Sequence, residues 1–590
     1  MCRSTAALTA CLALAILAAW CVGMFDRGYW TPDEPREADI SWRMSWQSAK
    51  AVPLLAGEAF CEKPPFAYWV AGASMRRFGV AAWAARLPNL VYALITAVAV
   101  LLLARRSAGN VAGIAAAAAI STFLLAYQVA IWLATDAPLL AAVSVALLGE
   151  YIGFYASGRR ERLGGYLLMH CALAVGFLCK SAAAWMVPAL AFVTLVAWER
   201  RWREFLRWEL YAGLLVQLLV ILSWVWFVYT GSDGVDHLRV FFWNNLVGRF
   251  TRINAPSGLQ YTAGHRNSPG KYFVELPLYL WPWTLLVAAA VRSAWRRRGA
   301  ASLDLRAGRF ALACLLPTLA VLSLAATARN IYLAPALPGA ALLLGWWVGV
   351  GVDARDRWDL RALRGTAAML LIASAVAAAA AALIGWDAWN TLGARAIYVI
   401  VCASATLAAA SLALYAWFAV ARGRINGALC ALLSAYAILL SAAASQAYPR
   451  IDRWQDLASV GRALKSDIGA DRLVLIAPDE TTRAWVDMYT STEVERLATP
   501  ANGADLARLR RFAARAPHSR FLLQLGGRRW SPRILALAHR LGIHPASAGR
   551  SAEPAWLADA RLRVLKIYEL PYGRRYALLA PRGEWRVAPL

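Results

Sequence analysis

Residues 31–44, TPDEPREADISWRM, decide how this chain is read. They follow an apolar run from Ala6 to Phe25 and precede a second polar turn, EKPPFAYW, that starts at Glu62. Four carboxylates (Asp33, Glu34, Glu37 and Asp39) fall within this short stretch of a chain whose net charge is +27. Acid is the scarce charge here. A cluster of it beside an apolar helix points to chemistry at a membrane surface.

The surrounding composition supports a membrane setting. The chain has 590 residues, 60% of them hydrophobic, and a mean hydropathy of +0.47. Runs of roughly 20 apolar residues, the length that crosses a hydrocarbon core as a helix, recur along its first three quarters. Thirteen spans are expected: 6–25, 80–103, 110–127, 137–156, 164–179, 182–198, 208–229, 273–292, 309–327, 331–349, 367–385, 395–420 and 426–447. Trp20 stands where a lipoprotein signal wants a small residue, so the first span reads as an uncleaved helix.

The loops orient the bundle. With the N-terminus cytoplasmic, the inner loops are ARRSAGN from Ala104, SGRRERL from Ser157, ERRWREFLR from Glu199, RSAWRRR from Arg292, DARDRWDLRALRG from Asp353 and ARGRIN from Ala421. All are basic, as cytoplasmic loops are. The outer loops include 26–79, the long loop 230–272 and WDAWNTLG from Trp386, which carry few basic clusters. The basic excess is thus a topological signal. No basic-aromatic or groove-reading motif supports nucleic-acid binding. In the first outer loop, Glu34–Gln47 and Pro65–Phe78 read as interfacial helices, with Trp42, Trp46, Tyr68 and Trp69 at headgroup depth.

Two parts are predicted: a transmembrane part, 1–447, and an α/β domain, 448–590, placed outside the cytoplasm by the odd span count. RLVLIAP from Arg472, RFLLQL from Arg520, RLRVLKIYEL from Arg561 and RYALLAP from Arg575 read as strands, and 504–514 and 532–541 as helices. No phosphate-loop or dinucleotide fingerprint occurs there, and His518, His539 and His544 lack ligand spacing. The nine cysteines lie mostly in apolar runs and form no metal or redox pair.

Each candidate residue has a plain alternative. A PDEP turn is often only solvated loop, yet its position holds Asp33 and Glu34 where a lipid headgroup lies. Pro64 and Pro65 stiffen the turn bearing Glu62 and Lys63. Lys63 is one of six lysines, and a compact ammonium there suits a phosphate. Asp136 in TDAPL serves equally as helix-dipole partner. Lys180 could merely snorkel. Arg249 and His265 lie in the long loop, and Arg329 and Tyr332 at the mouth of the tenth span. Lys63, Lys180, Arg249 and Arg329 would form a cationic pocket near Asp33 and Asp136. Glu62 and His265 would bind a divalent cation if the fold joined their loops. His170, inside the fifth span, reads equally as a helix–helix hydrogen-bonding group.

The ordered set DEPREADI, FCEKPPFAYW, TDAPL, CKSA, GRF…GHRNSP and YLAPALP, covering about the first 350 residues, resembles the GT-C class of polyprenyl-phosphate-sugar glycosyltransferases. It is most similar to bacterial aminoarabinose lipid A transferases and related protein O-mannosyltransferases. The resemblance implies a thirteen-span GT-C fold with an outer α/β tail. It implies Asp33 as the catalytic carboxylate, with Glu34, Lys63, Asp136, Lys180, Arg249, Arg329 and Tyr332 lining the site and Glu62 and His265 as a metal pair. Two positions depart from the pattern: Glu37 replaces a tyrosine, and Phe60-Cys61 an aromatic pair. These leave the donor sugar open, an amino sugar other than aminoarabinose included.

The expected function is inverting transfer of a sugar from a polyprenyl-phosphate donor to a lipid A phosphate on the periplasmic face of a bacterial inner membrane, with no cofactor required beyond the divalent cation above. A protein or other envelope glycan is the alternative acceptor. A lipid transporter or flippase would instead show midplane charges and inverted repeats. A non-catalytic assembly protein would tolerate loss of Asp33 and Lys63.

Overall fold

The computed structural model describes residues 13, 16–47, 51–245, 247–249, 268–297, 305–325, 329–392, 396–490, 494–498, 500, 502–515, 518–525, 554, 556–570 and 574–582. Most of the expected first span, the helix expected at 532–541, and His265, His539 and His544 lie outside them, and at Arg249 only the backbone is described.

The chain is a polytopic helical membrane protein. Among the described residues, nine helices are long and apolar enough to cross a membrane, or up to eleven if two bent pairs each count as a span. The difference from thirteen has local causes. The span expected at 110–127 breaks into Asn110–Thr122 and Leu124–Ile131, bent by 63°, and that at 273–292 into Lys271–Tyr279 and Thr284–Arg296, bent by 115°. Pro282 lies in the break of the second, where proline lacks the N–H a continuing helix needs. A broken helix leaves polar groups that lipid cannot satisfy, and the two breaks satisfy each other. The Leu124 amide donates to the Trp281 carbonyl at 3.2 Å, and Trp283 Nε1 donates to Thr122 Oγ1 at 2.8 Å. The helix Ala183–Glu199 is 17 residues long, and the remainder of the shortfall is the first span.

Two further expectations change. The stretch expected as the loop WDAWNTLG is helical over 386–392, where it forms the end of the 36-residue helix Arg357–Leu392. The helix Ile425–Trp454 carries on past the boundary expected at 447.

The ends of the bundle differ in charge. Arginines of the basic loops gather at one end, where Arg292 meets Asp356 at 3.1 Å, Arg309 meets Glu199 at 3.7 Å, and Arg201 lies 4.2 Å from the Phe154 ring. At the other end sit the helices Asp33–Trp46 and Phe66–Phe78, close to the interfacial pair read from sequence. Trp46 is exposed, but Tyr68 is buried inside the protein and not at headgroup depth. It packs with Ile40, Met44 and Phe60.

The C-terminal part carries a five-stranded sheet. Its strands β1 (Arg472–Ile476), β3 (Ser519–Leu525), β4 (Leu562–Glu569) and β5 (Arg575–Pro581) coincide with the four apolar runs, and β2 (Val494–Leu497), VERL, is too polar to have been noticed. The order across the sheet is β2-β1-β3-β5-β4. β2, β1 and β3 run parallel, while β5 is antiparallel to both its neighbours. Alternation sorts the side chains. Leu473 and Leu475 pack with Leu464 and Trp485 on one face, and Val474 and Ile476 with Leu509 and Phe521 on the other. Helices Leu457–Ile468 and Glu480–Thr490 thus cover one face and Gly503–Arg515 the other.

This part is fastened to the first polar loop. Asp452 accepts from the Gly28 amide at 2.8 Å and from Trp30 Nε1 at 3.0 Å. Gln455 accepts from the Thr31 amide at 2.7 Å, and Thr481 Oγ1 donates to the Pro32 carbonyl at 2.8 Å. Helix Glu480–Thr490 lies along helix Asp33–Trp46, adding the ion pairs Arg36–Glu480 and Arg43–Asp487.

Candidate active site

The DEPR turn enters its helix with Asp33 and Glu34 in the first turn, where carboxylates complement the helix dipole. The two side chains then part. Glu34 is 0% exposed. Arg27 donates to its two oxygens at 2.5 and 3.0 Å, and Arg86 at 2.9 and 2.7 Å. The amides of Trp30 and Leu133 add bonds of 2.8 and 2.9 Å. Burial pushes the Glu34 carboxyl up, but the two guanidiniums override it and hold it down at about 2. A carboxylate so enclosed has no free lone pair for a ligand. Its expected place among the lining residues is corrected: Glu34 locks the turn to the bundle.

Asp33 points to the rim. Its two oxygens accept from different arginines: Arg36 Nη2 at 2.7 Å on Oδ1, and Arg329 Nη2 at 2.9 Å on Oδ2. Burial raises the Asp33 carboxyl, while Arg329, Arg36 and Lys63 more than offset this and keep it below the usual aspartate range. The group is therefore ionised at neutral pH and remains accessible at 19% side-chain exposure.

Lys63, on the rigid EKPP turn, donates to Glu37 Oε1 at 2.5 Å. Burial lowers its ammonium, but Glu37 outweighs that and the result lies above the ordinary lysine value. Glu37, which departs from the family tyrosine, is thus the counter-ion of Lys63. Lys180 donates to Asp136 Oδ1 at 2.5 Å across two helix ends, and its ammonium lies 5.2 Å from the Tyr332 ring. The Tyr272 hydroxyl donates to the Arg329 carbonyl at 2.8 Å, fixing the chain at the mouth of the helix Asn330–Gly351.

Asp33, Lys63, Asp136, Lys180, Arg329 and Tyr332 therefore gather at the end of the bundle away from the basic loops. The backbone of Arg249 lies in a short turn, Val247–Arg249, and the nearby Asn245 amide side chain donates to the Glu62 carbonyl. Among the described residues no group of three or more His, Cys, Asp and Glu side chains could hold a metal ion. The expected metal partner of Glu62, His265, is outside those residues. His170 Nδ1 lies 2.6 Å from Gln217 Oε1, a bond between neighbouring helices.

Several partners escaped sequence reasoning, Arg27 among them. Arg36 was quoted within DEPREADI but given no part. Arg86 carried a signal, being a buried charge within an apolar span. Glu480 carried none.

Residues 62–227 match the family described as dolichyl-phosphate-mannose-protein mannosyltransferase. The crystal structures of ArnT from Cupriavidus metallidurans, in the apo state and bound to undecaprenyl phosphate, match with TM-scores of 0.67 and 0.70 at 19% and 18% identity. Each alignment covers 98% of this chain, and 98% and 99% of those chains respectively. The chain therefore has the fold of ArnT. In sequence it is similar to the undecaprenyl phosphate-alpha-4-amino-4-deoxy-L-arabinose arabinosyl transferase of Pseudomonas paraeruginosa, at 31% identity over 364 residues. That match covers 62% of this chain and 63% of the relative, just short of two thirds of the relative's length.

Proposed function

We propose that the protein is an inverting glycosyltransferase that moves aminoarabinose, or a related amino sugar, from a polyprenyl-phosphate donor to a phosphate of lipid A. The observation that carries this reading is the rim itself: an ionised carboxylate, Asp33, within one network with Lys63 and Arg329, beside the Asp136–Lys180 pair. The fold shared with a structure bound to undecaprenyl phosphate supports it.

A phosphate acceptor is already nucleophilic. Asp33 then need not take a proton; it orients the reactants and stabilises positive charge developing on the sugar carbon. Lys63, Lys180, Arg249 and Arg329 hold the donor phosphate as the sugar–oxygen bond breaks, and Asp136 and Tyr332 position Lys180. Were the acceptor a hydroxyl, Asp33 would be the general base. A divalent cation held by Glu62 and His265 belongs to the same proposal, and no step is routed through it.

The topology proposed with it has thirteen crossings: the nine long helices, the two bent pairs, Ala183–Glu199 and the span 6–25. The basic loops then face the cytoplasm. The rim and the sheet-bearing part, residues 448–590, face the periplasm of a bacterial inner membrane.

Mass spectrometry of lipid A from isogenic strains carrying wild type, Asp33→Asn or no protein tests the function. A sugar-sized mass present only with wild type is expected, and its value identifies the sugar. Identical lipid A in all three strains, with the proteins well expressed, would overturn lipid A as acceptor and direct the search to proteins and other envelope glycans.

A further inference from the structure

The ion pair between Arg36 and Glu480 joins parts of the chain 444 residues apart. Arg36 lies one helical turn beyond Asp33 and uses both terminal nitrogens: Nη2 donates to Asp33 Oδ1 at 2.7 Å and Nη1 to Glu480. The guanidinium fork is planar and fixed, so anchoring one prong sets the direction of the other. Arg36 is well enclosed, at 16% side-chain exposure. Glu480 opens the helix Glu480–Thr490, which itself is held in place by Thr481 on the Pro32 carbonyl and by Ala484 packed among Ile40, Met44 and Tyr68.

We propose that Glu480 is a positioning residue for the reaction, with the C-terminal helix holding Arg36 so that its second prong fixes one oxygen of Asp33. This deepens the glycosyltransferase reading and rests on it. Arg329 takes the other oxygen, leaving the carboxylate in one orientation toward the rim. The charged groups facing Asp33 are Arg36 from its own helix, Lys63 from the EKPP turn and Arg329 from the start of the helix Asn330–Gly351; those facing Arg36 are Asp33, Glu480 and Glu37. The Arg36 guanidinium loses stability on burial but gains more from Asp33 and Glu480, and so stays firmly charged.

The second tether between the same two parts does not touch Arg36, and it supplies the control. Arg483 and Arg496 both grip Glu58, Arg483 at 2.7 Å, and Arg496 also donates to the Ala56 carbonyl at 2.6 Å. A docking role alone would make Glu58→Gln and Glu480→Gln behave alike.

The test uses full-length protein in proteoliposomes with undecaprenyl-phosphate-linked aminoarabinose and lipid A, with kcat and KM followed between pH 3.5 and 7.5. Wild type, Asp33→Asn, Glu58→Gln, Glu480→Gln and Glu480→Asp are compared after each is shown to elute as wild type. With Glu480→Gln, kcat falls roughly two- to five-fold, the range a partly exposed ion pair spans. The KM for donor holds, and the acid limb moves to higher pH because an Arg36 fork released from Glu480 no longer keeps its second prong on Asp33, whose ionised form that contact favours. Glu480→Asp recovers most of the loss, and Glu58→Gln leaves the pH profile in place. An acid limb that does not move, one that moves to lower pH, or an equal effect from Glu58→Gln would overturn the proposal. No transfer by wild type would instead overturn the glycosyltransferase reading, and undiminished transfer by Asp33→Asn would overturn Asp33 as its carboxylate.

Discussion

Asp33 and Glu34 are adjacent carboxylates with opposite duties, and their surroundings decide which is which. Glu34 accepts from two buried arginines and two amides. Removing its charge strands Arg27 and Arg86 in the interior, so Glu34→Gln should cost about 3–5 kcal/mol, read as a lower Tm in detergent with little folded protein recovered. The pH dependence has a definite sign. The Glu34 carboxyl is depressed from 4.5 to about 2 on folding. Its contribution is therefore complete above about pH 4.5 and is lost progressively as the pH falls toward 2. A wild-type Tm that does not fall across that window relative to Glu34→Gln would contradict the account. At this scale the sequence was partly legible. Asp33 and Asp136 stand out as scarce acids, Lys63 and Lys180 as scarce lysines, and Arg329 by its place at a helix mouth; in the fold Lys63 and Arg329 face Asp33, and Lys180 meets Asp136. What sequence could not show was direction: one residue, about 100° around the helix, separates a carboxylate at the rim from one walled in. Nor does any spacing reveal that Glu37 answers Lys63.

At the scale of elements, the site depends on how closely two short helices approach. A Cβ on Gly72 would come within 2.3 Å of the Ser41 carbonyl oxygen, so only glycine lets helix Phe66–Phe78 lie against helix Asp33–Trp46. Gly72→Val should push the DEPR helix outward at a cost of about 1–3 kcal/mol. Transfer activity should drop further than the recovery of folded protein. Unchanged activity at unchanged stability would mean the approach has slack. These helices, and the four apolar strands, were legible because hydrophobic pattern and turn residues agreed there. The broken helices were not. An apolar stretch of the right length reads as one straight span, and the hydrogen bonds that tie the two bends together, the Leu124 amide to the Trp281 carbonyl and the Trp283 indole to the Thr122 hydroxyl, each come from the other broken helix.

For the whole molecule, the separation of charge between the two ends carries the orientation. An alkaline phosphatase reporter fused after Gln455 should be active and one fused after Arg106 inactive, since the enzyme matures only outside the cytoplasm. The reverse pattern would invert the proposed topology and put the rim on the wrong side for a periplasmic acceptor. The general architecture was readable from hydropathy and loop charge alone. The contact between the sheet-bearing part and the DEPR turn was not, because it rests on single polar residues such as Asp452, Gln455 and Glu480 in segments with no distinctive pattern.

That contact imposes an order of events on the making of the protein. Residues 27–36 are among the first to leave the ribosome, yet Gly28, Trp30 and Thr31 are bonded to residues more than 420 positions later. During synthesis the turn must wait, with its tryptophan and threonine unanswered, until Asp452 and Gln455 have been made. A ribosome that stalls before them therefore yields a helical bundle whose rim was never fastened. A segment translated much later thus acts as a check on an earlier one.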